Sequence, residues 1–332
     1  MTRIVFLLYD QCMYSAIAGM IDAFSIANQW HRYWKRSENT DEKLDDSVPF
    51  EFEVVSPKAE TVITEGNVRI LPHRSMEDTL HAGLIVIPPY MVAHHPIPKQ
   101  MPMILDWIQS RYRSGIPIAA ACTGTFVLAM TGLLDGRLAT TNWQYANRFR
   151  KEFPKVHLKP ERVLTEDSGL ICSGAATAMY HLALRVIDMF GSKNLAHACA
   201  KTLLVDANRK AQTPYRITVF RKDHGDQAII KAQQWMEEHF HETVSVDHAA
   251  LHAGLSPRHF KRRFKQATTE NPLAYLQLLR LEAAKHLLET TIKSIEEITF
   301  QVGYEDSSTF RRLFRKYTSL SPREYRDKFK TE

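Results

Sequence analysis

The chain has 332 residues, of which 44% are hydrophobic and 24% charged; these values are ordinary for a globular protein long enough to form two domains. No apolar run approaches the roughly 18 residues of a membrane-spanning helix, which excludes a helical membrane protein. The net charge of +6 is divided equally between residues 1–219 and 220–332. A basic surface must therefore be sought locally and not at the level of a whole domain.

The cysteines and the N-terminus indicate a soluble, cytoplasmic protein. The apolar run at residues 4–9 is short for a secretion signal, and the four cysteines show no CxxC pair or metal-ligand spacing. We expect neither a disulfide framework nor a cofactor. His94 and His95 lie together in a proline-rich stretch, and we expect surface residues there and no metal site.

Residues 1–208 alternate apolar strand patterns with helical patterns, which predicts an α/β domain with a mostly parallel, flavodoxin-like sheet. The predicted strands are residues 4–9, 50–55, 84–87, 116–121 and 137–141, with strand pairs at 62–71 and 163–171. The predicted helices are residues 16–28, 103–112, 143–151, 175–190 and 195–208, and one that follows residues 122–125 and ends at 134. The polar residues 30–49 are expected to form a surface loop or to extend a helix.

A candidate site lies at Cys122, directly after the predicted strand 116–121. A small nucleophilic side chain between a strand and a helix has the geometry of a nucleophile elbow. The field of the helix N-terminus favours a thiolate there. A buried structural cysteine is the competing interpretation.

Residues 4 to about 208 resemble the PfpI branch of the class I glutamine-amidotransferase-like superfamily. The stretches that carry the resemblance are residues 121–126, 132–136, 139–141 and 173–175. In catalytic members a histidine follows the Thr-Thr pair, and an acidic residue often follows the first strand. Here these positions hold Asn142 and Ala16. Asparagine cannot act as a base at neutral pH, so we predict a sensor pocket and no hydrolase.

The predicted pocket binds a small molecule at the carboxyl ends of the parallel strands. Backbone N–H groups that follow Cys122 suit a carboxylate or amide oxygen. The candidate ligand-binding residues are Tyr9, Cys122, Thr123, Asn142, Ser173 and Gly174.

The C-terminal part contains one stretch twice, because residues 258–275 correspond to residues 308–325. Each copy predicts a short helix, a turn at a glycine and a second helix. The first copy comprises residues 247–253, Gly254 and 257–267, and the second comprises 295–302, Gly303 and a helix from the cap Asp306 to about 317. In the second helices, Phe260 and Phe264 correspond to Phe310 and Phe314; the spacing of four places each pair on one buried face.

The second helix of each copy is basic on its outer side. Residues 257–269 contain five Lys/Arg and no acid, and residues 307–321 contain four and no acid. A helix face that is merely solvated normally mixes signs. Such helices suit the major groove of DNA.

Residues 254–329 resemble the AraC/XylS family of transcription regulators, in which a long helix joins two such motifs. Here residues 272–290, capped by Asn271, would form that helix, with Leu276, Leu279, Ala283 and Leu287 along one face. The resemblance implies base contacts from early positions of each second helix. These positions hold Arg258, Lys261 and Arg262 in the first unit and Ser308, Thr309 and Arg312 in the second.

The combination of the two domains resembles the GlxA-like regulators. It implies a ligand-sensing domain at residues 1–208, a linker at 209–225 and a DNA-binding domain at 226–332. The implied partners are double-stranded DNA, RNA polymerase, a small-molecule effector and a second copy of the chain. One alternative is an enzyme, a cysteine-dependent amidase or glyoxalase-like activity at Cys122. Another is an α/β domain that only dimerises.

Overall fold

The computed structural model describes residues 1–38, 48–79, 81–91 and 98–331, and it divides into two compact units, Met1–Gln212 and Thr213–Glu332. The division falls within the segment that the sequence predicts as a linker. His94 and His95 lie outside the described residues, as do residues 39–47 of the polar segment. None of the helices in the described ranges combines the length and the apolar character that a membrane crossing needs.

Strands and helices alternate along the first unit. The strands are β1 (Thr2–Leu7), β2 (Phe50–Ser56), β3 (Val62–Ile63), β4 (Arg69–Ile70), β5 (Arg74–Ser75), β6 (Leu84–Ile87), β7 (Ile118–Ala121), β8 (Leu138–Ala139), β9 (His157–Leu158), β10 (Leu164–Asp167) and β11 (Leu170–Ser173). The helices are α1 (Tyr14–Glu38), α2 (Met101–Arg113), α3 (Gly124–Met130), α4 (Ala146–Glu152), α5 (Ala178–Phe190) and α6 (Lys193–Thr202).

Seven of the described strands form one sheet in the order β10-β11-β7-β6-β1-β2-β5. Among these neighbours, only β10 and β11 run antiparallel. The central strands β6 and β7 are apolar and buried at every position, as expected for parallel strands covered on both faces. The predicted α/β fold is confirmed. The carboxyl ends of β1, β6, β7 and β11 lie side by side, and this edge carries the candidate pocket.

Two predicted helices end earlier than the sequence suggested. The helix after Cys122 ends at Met130 and not at 134, because Gly132 has a φ of 75° and the Thr131 hydroxyl donates to the Leu128 carbonyl oxygen. The helix predicted to reach residue 208 ends at Thr202, and Leu204 adopts a left-handed φ of 52°. A left-handed residue reverses the chain and cannot continue an α-helix.

The second unit is helical in its described part. Its helices are α7 (Gln227–His239), α8 (Val246–His252), α9 (Pro257–Thr268), α10 (Pro272–Thr290), α11 (Ile295–Gln301), α12 (Ser307–Thr318) and α13 (Pro322–Phe329). Side-chain caps fix several starts, since Asp226 accepts from the Ile229 amide and Asn271 from the Ala274 amide. Helices α7 and α13 were not predicted from the sequence.

The long helix α10 packs into two separate hydrophobic clusters. Tyr275, Leu276 and Leu279 join the cluster that contains Phe260 and Phe264 of α9. Leu278, Leu281 and Leu288 join the cluster that contains Phe310 and Phe314 of α12. The predicted row of Leu276, Leu279, Ala283 and Leu287 extends across both clusters: Leu276 and Leu279 contact the first, and Ala283 and Leu287 contact the second, whereas Leu278, Leu281 and Leu288 were not predicted. A helix between two small cores must be apolar on two sides.

Candidate ligand pocket and nucleic-acid interface

Cys122 occupies a sharp turn between β7 and α3. Its φ is 53°, which is uncommon for a residue with a side chain. The amide of Cys122 donates to the Ser173 carbonyl oxygen at 3.0 Å, and the Thr141 hydroxyl donates to the Cys122 carbonyl oxygen at 2.8 Å. Neighbouring segments therefore hold the backbone on both sides, and the structure has the predicted elbow.

The two residues that follow Cys122 anchor the elbow to residues 87–90. Thr123 Oγ1 donates to the Tyr90 carbonyl oxygen at 2.6 Å and accepts from the Tyr90 amide at 3.1 Å. A Cβ atom on Gly124 would lie 2.6 Å from the Ile87 carbonyl oxygen and 2.7 Å from that of Pro88. Glycine is thus required by close backbone approach.

Helix α9 presents its predicted DNA-contacting residues to solvent. Phe260 and Phe264 are fully buried, and Arg258, Lys261 and Arg262 are exposed on the other side of the helix. Arg263 faces elsewhere. Its Nε and Nη2 donate to the two Asp226 carboxylate oxygens at 3.0 and 2.7 Å.

Helix α12 repeats this arrangement with a more polar start. Phe310 and Phe314 are buried, whereas Ser308 and Arg312 are exposed and Thr309 is half-buried. The Ser308 hydroxyl donates to Asp306 Oδ2 at 2.9 Å. Hydrogen bonds from Thr309 and Ser308 hold the pKa of Asp306 well below its usual range. The Ser308 hydroxyl proton is therefore already bonded to the capping residue Asp306.

Comparison with known proteins gives a family to each unit. Residues 44–189 match the DJ-1/PfpI family, and residues 249–328 match a helix-turn-helix domain family. The chain joins a DJ-1/PfpI domain to an AraC-type helix–turn–helix domain. The resemblance inferred from the sequence is confirmed for both parts.

Proteins named as transcriptional regulators align with much of the chain at moderate sequence identity. The chain is 30% identical over 216 residues to the HTH-type transcriptional regulator ArgR of Pseudomonas aeruginosa, covering 65% of each chain. It is 24% identical over 274 residues to the HTH-type transcriptional regulator CdhR of the same species, covering 82% of this chain and 80% of CdhR. It is 27% identical over 213 residues to the HTH-type transcriptional regulator GlxA of Rhizobium meliloti, covering 63% of this chain and 65% of GlxA. The alignments thus span just under two thirds of ArgR and of GlxA.

The thiol of the DJ-1/PfpI domain is poorly suited to ionise. Burial raises the pKa of Cys122 to about 11, although hydrogen bonds from the Thr123 backbone, Asn142 and the Thr123 side chain lower it. This shift is opposite to the thiolate expected from the helix N-terminus. The side chain is only 6% exposed, and desolvation by burial is the largest cause of the shift.

The other candidate pocket residues of the DJ-1/PfpI domain differ in their availability. The Tyr9 hydroxyl is buried and donates to the Pro88 carbonyl oxygen at 2.7 Å, so it already has a partner. Asn142 is half-buried, and its Oδ1 accepts from the Gln144 amide at 3.0 Å. Ser173 is fully buried, and its hydroxyl has no hydrogen-bond partner among the described residues. An unsatisfied buried hydroxyl beside Cys122 is a candidate ligand contact.

One residue at this edge of the sheet, Gln212, was not predicted from the sequence. Its side chain is 5% exposed, and its amide group contacts the segments on both sides of the candidate pocket. A Cβ atom on Gly174 would lie 2.6 Å from that amide group, so Gly174 provides room for Gln212. A glutamine in a polar stretch carries no sequence signal of burial, and only the fold places it here.

A groove lies in another part of the DJ-1/PfpI domain. Its volume is about 1130 Å³, and α5, α6 and residues 207–211 form its walls. Ion pairs occupy part of it, since Arg185 binds Asp188 at 3.0 Å. The residues around Cys122 stay the predicted site, because hydrogen-bonding groups of Thr123 and Asn142 converge on the thiol there. Among the described residues, no cluster of three or more His, Cys, Asp or Glu side chains could hold a metal ion.

Proposed function

We propose that this chain is a sequence-specific, double-stranded-DNA-binding transcription regulator, controlled by a small molecule that binds without being transformed in the DJ-1/PfpI domain. The observation that carries the proposal is the pair α9 and α12. Each helix buries two phenylalanines and exposes basic residues on the opposite side. The relatives ArgR, CdhR and GlxA, all named as transcriptional regulators, support the same function.

The proposed DNA contacts are Arg258, Lys261 and Arg262 of α9 and Ser308, Thr309 and Arg312 of α12. Arginine and lysine can bond guanine edges in the major groove, and hydroxyl groups can reach bases or phosphates. Both helices contact the same α10, so the domain would present them together to adjacent major grooves on one face of the duplex, about 34 Å apart.

The proposed sensing role is supported by the chemistry at Cys122. A thiol with a pKa of about 11 is almost entirely protonated at neutral pH, and Asn142 cannot take a proton from it. The pocket residues Tyr9, Cys122, Thr123, Asn142, Ser173 and Gly174 stay predictions. Of their polar groups, Asn142 and the Ser173 hydroxyl are best placed to bond a carboxylate or amide of the effector.

The assembly and location of the protein are part of the proposal. We expect a cytoplasmic homodimer that acts on RNA polymerase at promoters. The effector would shift the equilibrium between states that differ in DNA affinity or in polymerase contact.

The DNA-binding proposal can be tested with duplexes selected from a random pool by the full-length protein. We expect Arg262→Ala and Arg312→Ala each to lose about 1–3 kcal/mol of binding free energy on the selected site, and to relax preference at one or two base pairs. Affinity should fall steeply with salt, because the contacts release counterions. Arg69→Ala, which alters an exposed arginine of β4 in the other unit, is the matched control.

Two results would count against this assignment. Selection that enriches no sequence would remove sequence-specific binding. Footprints of Arg262→Ala and Arg312→Ala that match the wild type would remove these two side chains as base contacts.

A second candidate function is a cysteine-dependent amidase or glyoxalase-like enzyme, favoured by the strained φ of 53° at Cys122. Its test is ammonia release from glutamine and consumption of glyoxal by the wild type and by Cys122→Ser. Turnover that the substitution abolishes would establish the enzyme. Equal background rates in both proteins would support the sensor.

A further inference from the structure

Gln212 is the last residue of the first unit, and its buried side chain joins segments on both sides of the candidate pocket. Its Nε2 donates to the Thr141 carbonyl oxygen at 2.9 Å and to the Arg162 carbonyl oxygen at 3.1 Å. Its Oε1 accepts from the Ala175 amide at 3.1 Å. Carbonyl oxygens only accept and an amide N–H only donates, so these partners fix the orientation of the carboxamide.

Both segments held by Gln212 carry candidate pocket residues. Thr141 precedes Asn142, and its hydroxyl donates to the Cys122 carbonyl oxygen at 2.8 Å. Ala175 follows Ser173 and Gly174. A ligand that moves either segment therefore changes the hydrogen bonds of Gln212. Since these bonds are buried, an unmade one is costly, and the side chain must follow the movement.

The residue after Gln212 contacts a proposed DNA-binding helix. Thr213 begins the second unit, and its hydroxyl lies 2.8 Å from the Ser319 hydroxyl. Ser319 caps the C-terminus of α12 in a left-handed conformation with φ 61°. Farther along, the Thr218 hydroxyl donates to Glu282 of α10 at 2.8 Å. The chain therefore connects Gln212 directly to residues that contact α10 and α12.

We propose that Gln212 is a positioning residue that couples occupancy of the Cys122 pocket to the DNA-binding helices. The proposal rests on the function proposed above and adds the route of its regulation. Effector binding changes the hydrogen bonds of the Gln212 carboxamide to Thr141 and Ala175. The peptide bond to Thr213 transmits that change to Ser319 at the end of α12. A merely structural Gln212 would stabilise the first unit without such transmission.

The coupling can be tested without knowing the effector, because coupling between two binding sites acts equally in both directions. If the pocket influences DNA affinity, DNA must influence the pocket by the same factor. The probe is a duplex selected in vitro by the full-length protein, and the measurement is hydrogen exchange by mass spectrometry with and without that duplex. We expect DNA to change exchange at residues 139–142 and 173–178 by about fivefold or more in the wild type.

The variants separate transmission from stability. Gln212→Met keeps the size of the side chain and removes its hydrogen bonds, and Gln212→Asn keeps the amide but shortens its reach. The matched control is Gln109→Met, because Gln109 Nε2 donates to the Thr131 carbonyl oxygen at 2.7 Å in the same unit. We expect the DNA-dependent change to persist in the control and to vanish in both Gln212 variants.

Each outcome decides the proposal. A DNA-dependent change in the Gln212 variants equal to that of the control would overturn it, as would a wild type whose pocket segments do not respond to DNA. If neither Gln212 variant folds, Thr213→Val decides, because it removes the hydroxyl that contacts Ser319 without altering the first unit; the DNA-dependent change should vanish in it, and its persistence would overturn the proposal. Normal DNA binding with a silent pocket would leave the DNA-binding function intact. Failure to select any duplex would overturn that function and the coupling with it.

Discussion

Arg280 lies over the ring of Tyr304, with 5.2 Å between the guanidinium carbon and the ring centre. The same side chain donates from Nε to the Phe240 carbonyl oxygen at 2.8 Å. Phe240 follows α7, which packs in the same hydrophobic cluster as α9 of the first helix–turn–helix motif. Tyr304 follows Gly303, the turn glycine of the second motif. A Cβ atom on Gly303 would lie 2.6 Å from the Phe240 oxygen. Within the second unit, one arginine of the connecting helix α10 therefore contacts residues next to both helix–turn–helix motifs.

We predict that Arg280→Met weakens DNA binding although Arg280 is not a proposed DNA contact. When two helix–turn–helix motifs are held in a fixed geometry, binding of one motif places the other next to its DNA site. A looser geometry lowers the effective concentration of the second motif at that site, and we expect a roughly tenfold loss of affinity for DNA. Unfolding in urea should also become easier by about 1–3 kcal/mol, since hydrogen bonds from a charged group are lost.

The control for this change is Arg323→Met, which removes an exposed arginine of α13. Arg323→Met should change neither the affinity for DNA nor the stability in urea. If Arg280→Met lost stability while its affinity for a selected duplex stayed at the wild-type value, the two motifs would not depend on Arg280 for their spacing.

We predict that Cys122 reacts slowly with iodoacetamide and that its rate increases with pH. Only the thiolate reacts, and the pKa of Cys122 is raised to about 11 by burial. At pH 8 the thiolate fraction of Cys122 is about one hundredth of that of a cysteine with a pKa of 9.0, and it should rise roughly tenfold for each pH unit up to about pH 10. Peptide mass spectrometry distinguishes Cys122 from the other cysteines, with glutathione as the reference thiol. A fast rate that does not change between pH 6 and 8 would indicate a stabilised thiolate and favour the enzyme.

We predict that Gly124→Ala is more damaging than Gly115→Ala. The added methyl group at Gly124 would meet the backbone oxygens of Ile87 and Pro88 at 2.6 and 2.7 Å, so the elbow must shift. At Gly115 the space is open, and only its φ of 86° opposes a side chain, which costs about 1–2 kcal/mol. The free energy of unfolding of both variants is measured by urea denaturation. Equal losses of stability would show that the elbow relaxes easily.

We predict that the stabilisation of the second unit by the ion pair between Asp226 and Arg263 is fully present above about pH 4 and is lost progressively below it. The hydrogen bond from Arg263 lowers the pKa of Asp226 below its unfolded value. Its contribution is therefore fully present above the unfolded pKa and is lost as pH falls through the folded pKa. Asp226→Asn keeps a capping side chain for α7 and removes the charge.

The size of this effect is modest because the pair is partly exposed. The wild type should exceed Asp226→Asn by about 0.2–1 kcal/mol at pH 7, and the difference should shrink as pH falls below 4. The measurement is urea unfolding across that pH range. A difference that stayed constant with pH would assign the effect to the shape of the cap and not to charge.

Local patterns in the sequence were sufficient for most of the secondary structure. The bounds predicted for α10 agree with the structure, because Asn271 caps its start and Pro272 occupies the first turn. The hairpin at residues 62–71 forms as predicted, with Gly66 and Asn67 at positive φ. The bounds of α3 and α6 were overestimated, because the left-handed backbone at Gly132 and Leu204 ends these helices before their apolar periodicity does.

The sequence by itself determined the two fold classes, the elbow at Cys122 and the basic faces of α9 and α12, because periodicity, turn residues and charge runs are local properties. Only the tertiary structure decided that burial raises the pKa of Cys122, that α10 contacts two hydrophobic clusters, and that Gln212 and Arg280 connect segments distant in sequence. Desolvation and long-range hydrogen bonds depend on what packs around a group, and no local pattern encodes that.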